Sequence, residues 1–351
     1  MKENINFFKN KKILITGHTG FKGSWLSQCL INFGADVHGF SLEPCKSSLY
    51  EKLSLQDNMH STYGDIRDLD KISDFFMAVK PEIVFHLAAQ ALVRDSYEDP
   101  VNTYSTNVMG SLNVLKSVDL TNSVKSLVYI TSDKCYENYE WPWGYRETDT
   151  LGGHDPYSSS KACAEILFSS FARSYWGDQK PFCASARAGN VIGGGDYAKD
   201  RIIPDCIRAA DNNGEVILRS PNSTRPWQHV LEPISGYLAL AKYLFNGNSK
   251  NVYSNWNFGP DVNDEITTKN VADMVLNKIG KGSMKINEND KLHEAGLLQL
   301  NCDKAKIMLG WKPTWSSLES IEKTSIWYKQ VMDGFCPIDV TNQNIREFFN
   351  G

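Results

Sequence analysis

A tyrosine and a lysine stand four residues apart, as Tyr157 and Lys161. If this stretch is helical, positions i and i+4 lie on one face and the two side chains are neighbours. Asp155 and Pro156 just before them predict a helix start. An ammonium beside a phenol lowers the pKa of the phenol and makes it a usable base toward an alcohol. The spacing favours alcohol oxidation, although such pairs are also common as surface neighbours.

A glycine-rich turn supplies a second candidate site. Gly17, Gly20 and Gly23 follow a compact apolar run at residues 12–16 and open a helix-compatible stretch. Glycines let the main chain approach a pyrophosphate, and a helix N-terminus adds N–H donors. The spacing is GxxGxxG, so its place at the first strand–helix junction favours a cofactor site over a packing turn. The predicted cofactor contacts in this turn are Gly17, Thr19, Gly20, Phe21, Lys22 and Gly23.

The end of the second predicted strand leaves the choice between NAD and NADP open. No acid follows residues 37–40 directly, where a ribose-binding carboxylate often stands. Glu43 is a substitute for that acid. Lys22 and Lys46 are positive charges that would suit a 2′-phosphate, and a solvated loop charge is the alternative interpretation of Lys22.

The elements that must position these residues alternate between strand and helix. This alternation predicts an α/β fold with a Rossmann-like doubly wound parallel sheet. Beyond residue 190 the chain changes to short elements rich in Arg, Trp, Asn and Pro, which predicts a smaller mixed α/β substrate lobe. The predicted strands are 12–16, 37–40, 59–63, 83–87, 127–131 and 182–187, and the predicted helices include 24–33, 107–118 and 230–245.

The same texture predicts two lobes that share one cleft. Residues 1–190 form the dinucleotide-binding domain, and 230–260 return to it. Residues 191–229 and 261–351 form the substrate lobe. A chain of 351 residues is long for a single core, which agrees with this division.

Composition excludes several classes of function. A net charge of −4 gives no general attraction to nucleic acid. The eight cysteines contain no CxxC pair, so neither a metal site nor a disulfide framework is expected, and a cytoplasmic location with reduced thiols is the simpler interpretation. Residues 1–5 lack an apolar signal core, and no run of about 18 apolar residues predicts a membrane span.

Together these motifs resemble the extended short-chain dehydrogenase/reductase family. Segments in matching order are 64–68 (GDIRD), 86–90 (HLAAQ), 106–108 (TNV), 130–136 (ITSDKCY) and 187–193 (RAGNVIG). The resemblance covers almost the whole chain. It implies an NAD cofactor, and adds to the contacts of the glycine turn Asp65, Ile66, Leu87, Ala88, Ala89, Gln90, Asn107, Thr131, Tyr157 and Lys161.

Three runs are similar to the subfamily of CDP-glucose 4,6-dehydratases. They are 17–26 (GHTGFKGSWL), 131–138 (TSDKCYEN) and 152–161 (GGHDPYSSSK). The related dTDP-glucose dehydratases carry Asp-Glu where this chain has Asp133 and Lys134. The resemblance implies CDP-glucose as the substrate and CDP-4-dehydro-6-deoxyglucose as the product.

The resemblance also implies a role for each residue of a catalytic set. Tyr157 takes the C4 hydroxyl proton while hydride passes to NAD, Ser132 holds the C4 oxygen, and Lys161 binds the nicotinamide ribose. Asp133, as a protonated carboxyl, protonates the departing C6 oxygen, and hydride then returns to C6. Lys134, as a neutral amine, removes the C5 proton; alternatively it orients a water or the carboxylate.

The nucleotide end is expected in the second lobe, because a diphosphate requires cations. Arg219 and Arg225 are the preferred diphosphate ligands, and a lone arginine there would be a surface charge. Trp141 and Trp143 either wall the sugar pocket or pack a loop. The predicted substrate contacts are Asn190, Arg201, Arg219, Arg225 and His229.

Alternatives remain at this stage. Another nucleotide-sugar dehydratase or a 4-epimerase of the same family is the nearest. A non-catalytic dinucleotide sensor would typically lose the tyrosine or the lysine, and a simple alcohol reductase would need no Asp133. In this family the helix that carries Tyr157 joins a dimer interface, so a homodimer or tetramer is expected.

Overall fold

The computed structural model describes residues 5–177, 181–247, 253–261, 266–287 and 297–350. Its centre is a seven-stranded parallel sheet in the order β3-β2-β1-β4-β5-β6-β11. These strands are β1 Lys12–Thr16, β2 Asp36–Ser41, β3 His60–Tyr63, β4 Ile83–His86, β5 Ser126–Ile130, β6 Phe182–Ala188 and β11 Tyr253–Phe258.

Helices connect the strands and cover both faces of the sheet. The first half contains α1 Phe21–Asn32, α2 Leu49–Lys52, α3 Leu69–Val79, α4 Val93–Glu98, α5 Pro100–Tyr104, α6 Ser111–Asp119 and α7 Pro156–Phe171. The second half contains α8 Ile202–Asp211, α9 Leu231–Phe245, α10 Thr268–Ile279, α11 Asp303–Leu309, α12 Ser317–Met332 and α13 Pro337–Asn350. Single π-helical turns occupy Ser105–Gly110 and Ala172–Trp176.

The fold class and the six predicted strands are confirmed to within a residue or two at their ends. Sheet burial explains why the pattern was readable: Ile13, Leu14 and Ile15 are completely buried, as expected for a strand covered on both faces. The predicted start of α7 is also confirmed, since the Asp155 side chain accepts a hydrogen bond from the Ser158 amide and Pro156 is the first helical residue.

The seventh strand, β11, was not predicted as a strand, although its chain region was expected to return to the first domain. It pairs with β6 along six positions, and α9 packs on β5 and β6. Part of the returning segment, 248–252, lies outside the described residues, as do parts of the predicted substrate lobe and residues 1–4.

The second half adds three two-stranded sheets beside the main one. They pair β7 Val191–Ile192 with β10 Gln228–His229, β8 Glu215–Leu218 with β13 Ser283–Ile286, and β9 Thr224–Arg225 with β12 Ile266–Thr267. One continuous hydrophobic core joins both halves. The indole of Trp25 on α1 donates to the Gly194 carbonyl at 2.9 Å, which fixes the junction between them.

All eight cysteines are free thiols in the structure. Within the described ranges, none of the helices combines the length and the apolar character needed to cross a bilayer.

Candidate active site

The predicted catalytic residues meet where β5 ends and α7 begins, a region we call the β5–α7 corner. Ser132, Asp133 and Lys134 follow β5, and the last two open a 3₁₀ turn at Asp133–Cys135. Tyr157 and Lys161 lie one helical turn apart on α7, and both are buried. The corner stands at the carboxyl ends of the parallel strands, where ligands of doubly wound sheets bind.

Asp133 has one carboxylate oxygen that no protein group satisfies. Its Oδ1 accepts from the Ser132 hydroxyl at 2.9 Å and lies 3.6 Å from Lys134 Nζ. Its Oδ2 is buried without a hydrogen-bond partner among the described residues, and it faces Gly189, where an added Cβ would come within 3.0 Å. A buried oxygen of this kind is costly unless a water or a ligand pairs with it.

Lys134 is only partly withdrawn from solvent, with 32% of its side chain exposed. Its amine nevertheless turns back toward Asp133, and its backbone amide donates to the Ser132 hydroxyl at 3.3 Å. Serine, aspartate and lysine therefore form one chain of contacts.

The pKa of Tyr157 differs from the sequence-based expectation. Burial raises it to about 12, whereas contact with the Ser132 hydroxyl and the charge of Arg201 act to lower it. The prediction that the tyrosine pKa falls in the protein itself is therefore wrong, because loss of hydration outweighs the neighbouring cations. Burial also lowers the pKa of Lys161 to about 8, against the attraction of Glu165.

Sequence reasoning missed a buried ion pair beneath the corner. Glu165 and Arg187 are each 1% exposed, and the guanidinium donates two hydrogen bonds to the carboxylate, at 3.0 and 2.8 Å. Burial raises the pKa of Glu165, but Arg187 and the hydroxyls of Thr131 and Ser185 outweigh it and hold that pKa below its usual range. Glu165 stands four residues after Lys161 on α7, so helical periodicity places it on the same face as Lys161, but its pairing with Arg187 depends on tertiary packing.

The glycine turn forms a backbone cradle that fits a dinucleotide. Gly17 has φ of 78°, and a Cβ there would meet the Ala88 amide nitrogen at 2.7 Å. Gly20 caps α1 without a side-chain hydrogen bond, and the first turn of α1 contains no acidic residue. Donor N–H groups and the helix dipole therefore face a position that suits a pyrophosphate.

Thr19 and Lys22 occupy different ends of this turn. The Thr19 hydroxyl contacts the Ser41 hydroxyl at 2.8 Å and donates to the Leu42 carbonyl at 3.1 Å, which joins the turn to the end of β2. Lys22 instead lies within the fields of Asp133, Lys161 and Lys134, and its pKa falls to about 8 chiefly through burial. This placement does not fit the expected contact with a 2′-phosphate, because the ribose end is at β2.

Several predicted cofactor residues hold one another in place. Asn107, in the π-helical turn, accepts from the Gln90 amide at 2.8 Å and donates to the Gln90 carbonyl and the Ser160 hydroxyl. The Thr131 hydroxyl donates to Glu165. Asp65 pairs with Arg67 at 2.5 Å. These side chains shape the site, and their predicted contacts with a cofactor remain predictions.

Apolar residues of the predicted set flank the cradle. Ile66 is buried and would meet a Cβ added at Gly110. Leu87, Ala88 and Ala89 follow β4 and are half-buried. Phe21 is half-buried and packs against the core beside Gly193.

The predicted substrate residues of the second half are only partly brought together. Arg201 pairs with Asp196 at 2.7 Å and acts electrostatically on Tyr157 and Lys22. Arg219 pairs with Asp200 at 2.8 Å. Arg225 donates to the Thr224 carbonyl at 2.8 Å.

Two further predicted substrate residues differ in exposure. Asn190 is half-buried, and its carbonyl accepts from the Gln228 amide at 3.2 Å. His229 is completely buried, with its ring packed edge-on against Trp25 and Trp315. The structure does not bring His229 to the surface, because its ring is packed in the hydrophobic core.

The two loop tryptophans belong to an aromatic cluster. Trp141 stacks on Tyr145 with ring centroids 5.2 Å apart and lies 5.4 Å from the Trp143 ring. They border a cavity of about 290 Å³, which is completed by Gly144, Arg146, Asp149 and Asn301. None of these residues belongs to the predicted catalytic set, so the cavity is not the β5–α7 corner.

Comparison with known proteins agrees with the fold and identifies the family. The chain is 46% identical to a CDP-glucose 4,6-dehydratase of Salmonella typhimurium, over 98% of each chain. An epimerase of Methanothermobacter thermautotrophicus superposes with a TM-score of 0.81 at 23% identity, over 94% of this chain and 96% of that one. A UDP-glucose 4-epimerase of Brucella ovis in complex with NAD gives 0.78 at 19% identity, over 92% and 98%.

The chain also matches a protein-family model. The model for GDP-mannose 4,6 dehydratase matches residues 14–324, which include both the glycine turn and the β5–α7 corner. The chain therefore belongs to the GDP-mannose 4,6 dehydratase family, whose members share the extended short-chain dehydrogenase/reductase fold.

Proposed function

We propose that this protein dehydrates CDP-glucose to CDP-4-dehydro-6-deoxyglucose. The observation that carries the proposal is the 46% identity over 98% of the chain to a CDP-glucose 4,6-dehydratase, together with Ser132, Asp133, Lys134, Tyr157 and Lys161 gathered in one corner. The enzyme is a hydro-lyase, because the net reaction is the loss of one water.

The cofactor is NAD. The backbone cradle at Gly17, Gly20 and Gly23 would hold its pyrophosphate, and Lys161 would hold the nicotinamide ribose. When bound, NAD would supply a hydride acceptor for oxidation of the sugar and a hydride donor for its later reduction.

Oxidation of the sugar requires a base at the C4 hydroxyl. Tyr157 performs this role as a phenolate, and Ser132 hydrogen-bonds the same oxygen. Since burial holds the pKa of the tyrosine at about 12, the positive charges that gather in the complex must lower it before the proton can leave. Arg201 already acts in that direction.

Elimination of water requires an acid at O6 and a base at C5. Asp133 fits the acid, because its buried Oδ2 has no hydrogen-bond partner within the described ranges and lies beside Gly189, which has no side chain to cover it. Lys134 fits the base, since its amine lies on the same side as Asp133 while 32% of its side chain still reaches solvent. A lysine that only orients the carboxylate is the alternative role.

The two lobes divide the binding of the cofactor and the substrate between them. Residues 1–190 with 230–260 bind NAD, and residues 191–229 with 261–351 bind the nucleotide-sugar. The negative charge of the diphosphate is neutralised by Arg201, Arg219 and Arg225, and Asn190 contacts the phosphate or the sugar. Two observations support this division. Strand β11 pairs with β6 in the main sheet, and Arg201 of the second lobe acts electrostatically on Tyr157 of the first.

The enzyme works as a homo-oligomer in the cytoplasm. An apolar surface around α7 supports association: Val101 is 78% exposed, Ile166 59% and Met109 54%. Phe168 and Phe171, on the same helix, are buried inside the protomer. Eight free thiols agree with a reducing compartment.

A nucleotide panel tests the function. Purified protein with NAD is incubated separately with CDP-, dTDP-, UDP- and GDP-glucose, and each product is followed by the alkali-induced absorbance of a 4-keto-6-deoxy sugar and by mass. Turnover with CDP-glucose alone, with loss of one water, is the expected result. Turnover with another nucleotide would keep the dehydratase and discard CDP. No turnover with NAD demonstrably bound would overturn the proposal.

A further inference from the structure

Three side chains with metal-ligand chemistry meet on the outer strands of the main sheet. Asp36 and His38 alternate by two along β2 and therefore share one face. His60 begins β3 and lies directly opposite His38 in the strand register. One donor atom from each residue lies within 4.8 Å of the other two.

The three donor atoms converge rather than merely lie near one another. Asp36 Oδ1 is 3.0 Å from His38 Nε2 and 3.7 Å from His60 Nε2. The two imidazole rings stack with centroids 4.6 Å apart and planes 20° from parallel. His38 Nε2 is buried, and apart from the ion-pair contact with Asp36 it has no hydrogen-bond partner in the described part of the chain.

The three donor atoms lie close enough together for one cation to contact them all. A divalent cation accepts a lone pair from all three groups at once. Two imidazoles and a carboxylate are ligands typical of Zn²⁺, with a water in the fourth tetrahedral position.

The surroundings allow a metal ion to reach the site, but a neighbouring positive charge weakens its binding. His60 has 73% and Asp36 40% of the side chain exposed, so an ion reaches them from solvent and His60 can turn toward it. Lys12 on β1 pairs in register with Asp36 and acts on His38, and its positive charge opposes a bound cation. Asp36 starts β2, at the end of the strand opposite to the cofactor turn.

We propose that Asp36, His38 and His60 form a Zn²⁺ site that ties the edge strand β3 to β2. Such a clamp has a physical use, because an edge strand presents unpaired backbone groups and is held by one neighbour only. A ligand that binds the folded state alone stabilises it by mass action. The site is separate from the proposed dehydration chemistry.

The test uses the full chain stripped with EDTA and then titrated calorimetrically with Zn²⁺ alone. One ion per chain is expected, with a rise in Tm. His60→Gln and Asp36→Asn each remove one ligand at an exposed position and should weaken binding at least tenfold, the lower range seen when even indirect metal contacts are removed. Asp57→Asn and Cys45→Ser, which change an exposed acid and an exposed thiol outside the cluster, should bind as the parent does.

Cobalt spectroscopy supplies an independent measurement on the unmodified chain. Co²⁺ in this site should show d–d absorption without thiolate-to-cobalt charge transfer. Loss of Zn²⁺ binding in both ligand variants, with CDP-glucose turnover unchanged, supports the site. Equal binding by ligand and control variants, thiolate bands in the cobalt spectrum, or no stoichiometric binding by the parent chain would each overturn it.

Discussion

The β5–α7 corner and the arginines of the second half solve different physical problems. In the corner, Tyr157 and Lys161 are 8% and 6% exposed and stand over a fully buried ion pair. Arg201 and Arg219, by contrast, keep 37% and 26% of their side chains exposed and pair with Asp196 and Asp200. One region is buried and internally paired, whereas the other would, on the proposed function, exchange its partners for a diphosphate.

The difference separates chemistry from recognition. A buried, internally paired corner holds reacting groups in place without reorganisation, which is what proton transfer requires. The Arg219–Asp200 pair is partly exposed, and such pairs are worth little on their own, so this arginine can leave its acid for a phosphate at small cost. Substitutions in the corner should therefore abolish turnover or folding, and substitutions of the arginines should mainly change substrate affinity.

The largest effect should come from Tyr157→Phe. Because this change removes the only atom proposed to take the C4 proton, kcat for CDP-glucose should fall by about 10²- to 10⁴-fold, with NAD binding retained. Tyr175→Phe is the matched control, since Tyr175 follows the same helix and is 65% exposed. If both variants turn over substrate equally, the corner is not the catalytic site.

Removing one member of the buried Glu165–Arg187 pair should lower the free energy of unfolding by nearly as much as Tyr157→Phe raises the activation free energy. Glu165→Gln leaves the Arg187 guanidinium buried without its counter-charge, so the free energy of unfolding should fall by about 3–5 kcal/mol in a urea titration. Asp333→Asn breaks the exposed Lys329–Asp333 pair, 2.6 Å long, and should cost roughly 0.5 kcal/mol or less. Equal losses would contradict the view that burial, rather than pairing, distinguishes the corner.

The difference between the corner and the arginines also explains how much of each region could be predicted from the sequence. Tyr157 and Lys161 were predictable because four residues on a helix fix their neighbourhood, and Asp133 because it follows a strand in a segment that resembles the family motif. Arg187 was part of a recognised motif, but its partner Glu165 lies on a different element, so only tertiary packing reveals the pair. His229 was misleading, because nothing local distinguishes a core histidine from one in the cleft.

A carboxylate in the second half extends the comparison to pH. Burial raises the pKa of Glu232 to about 7, although it accepts hydrogen bonds from the Thr314 and Trp315 amides. The folded state therefore holds this proton more tightly than the unfolded state does. Its stabilisation is complete below the usual carboxyl range and is lost as pH rises through about 7.

Glu232→Gln should remove that dependence, since one amide oxygen can still accept from both backbone amides. Between about pH 5 and pH 8 the parent chain should lose about 2 kcal/mol of unfolding free energy that the variant keeps. Denaturant titrations at the two pH values measure the difference. A variant that is destabilised equally at both would show that the carboxylate is ionised throughout and that its hydrogen bonds dominate.

The smallest effect should be that of Arg201→Gln, and it tests the recognition half of the comparison. Arg201 pairs with Asp196 at 2.7 Å, so its loss removes one cation from the proposed diphosphate site and leaves the buried Asp196 carboxylate, which still accepts from the Ala198 amide, without this counter-charge. KM for CDP-glucose should rise about tenfold, which corresponds to about 1.4 kcal/mol, and the free energy of unfolding should also fall, because a buried charge loses its partner. Arg173→Gln, an exposed arginine after α7, is the matched control and should leave KM unchanged. Because Arg201 also acts on Tyr157, a variant that loses kcat while KM stays constant would move this arginine from recognition into the chemistry of the corner.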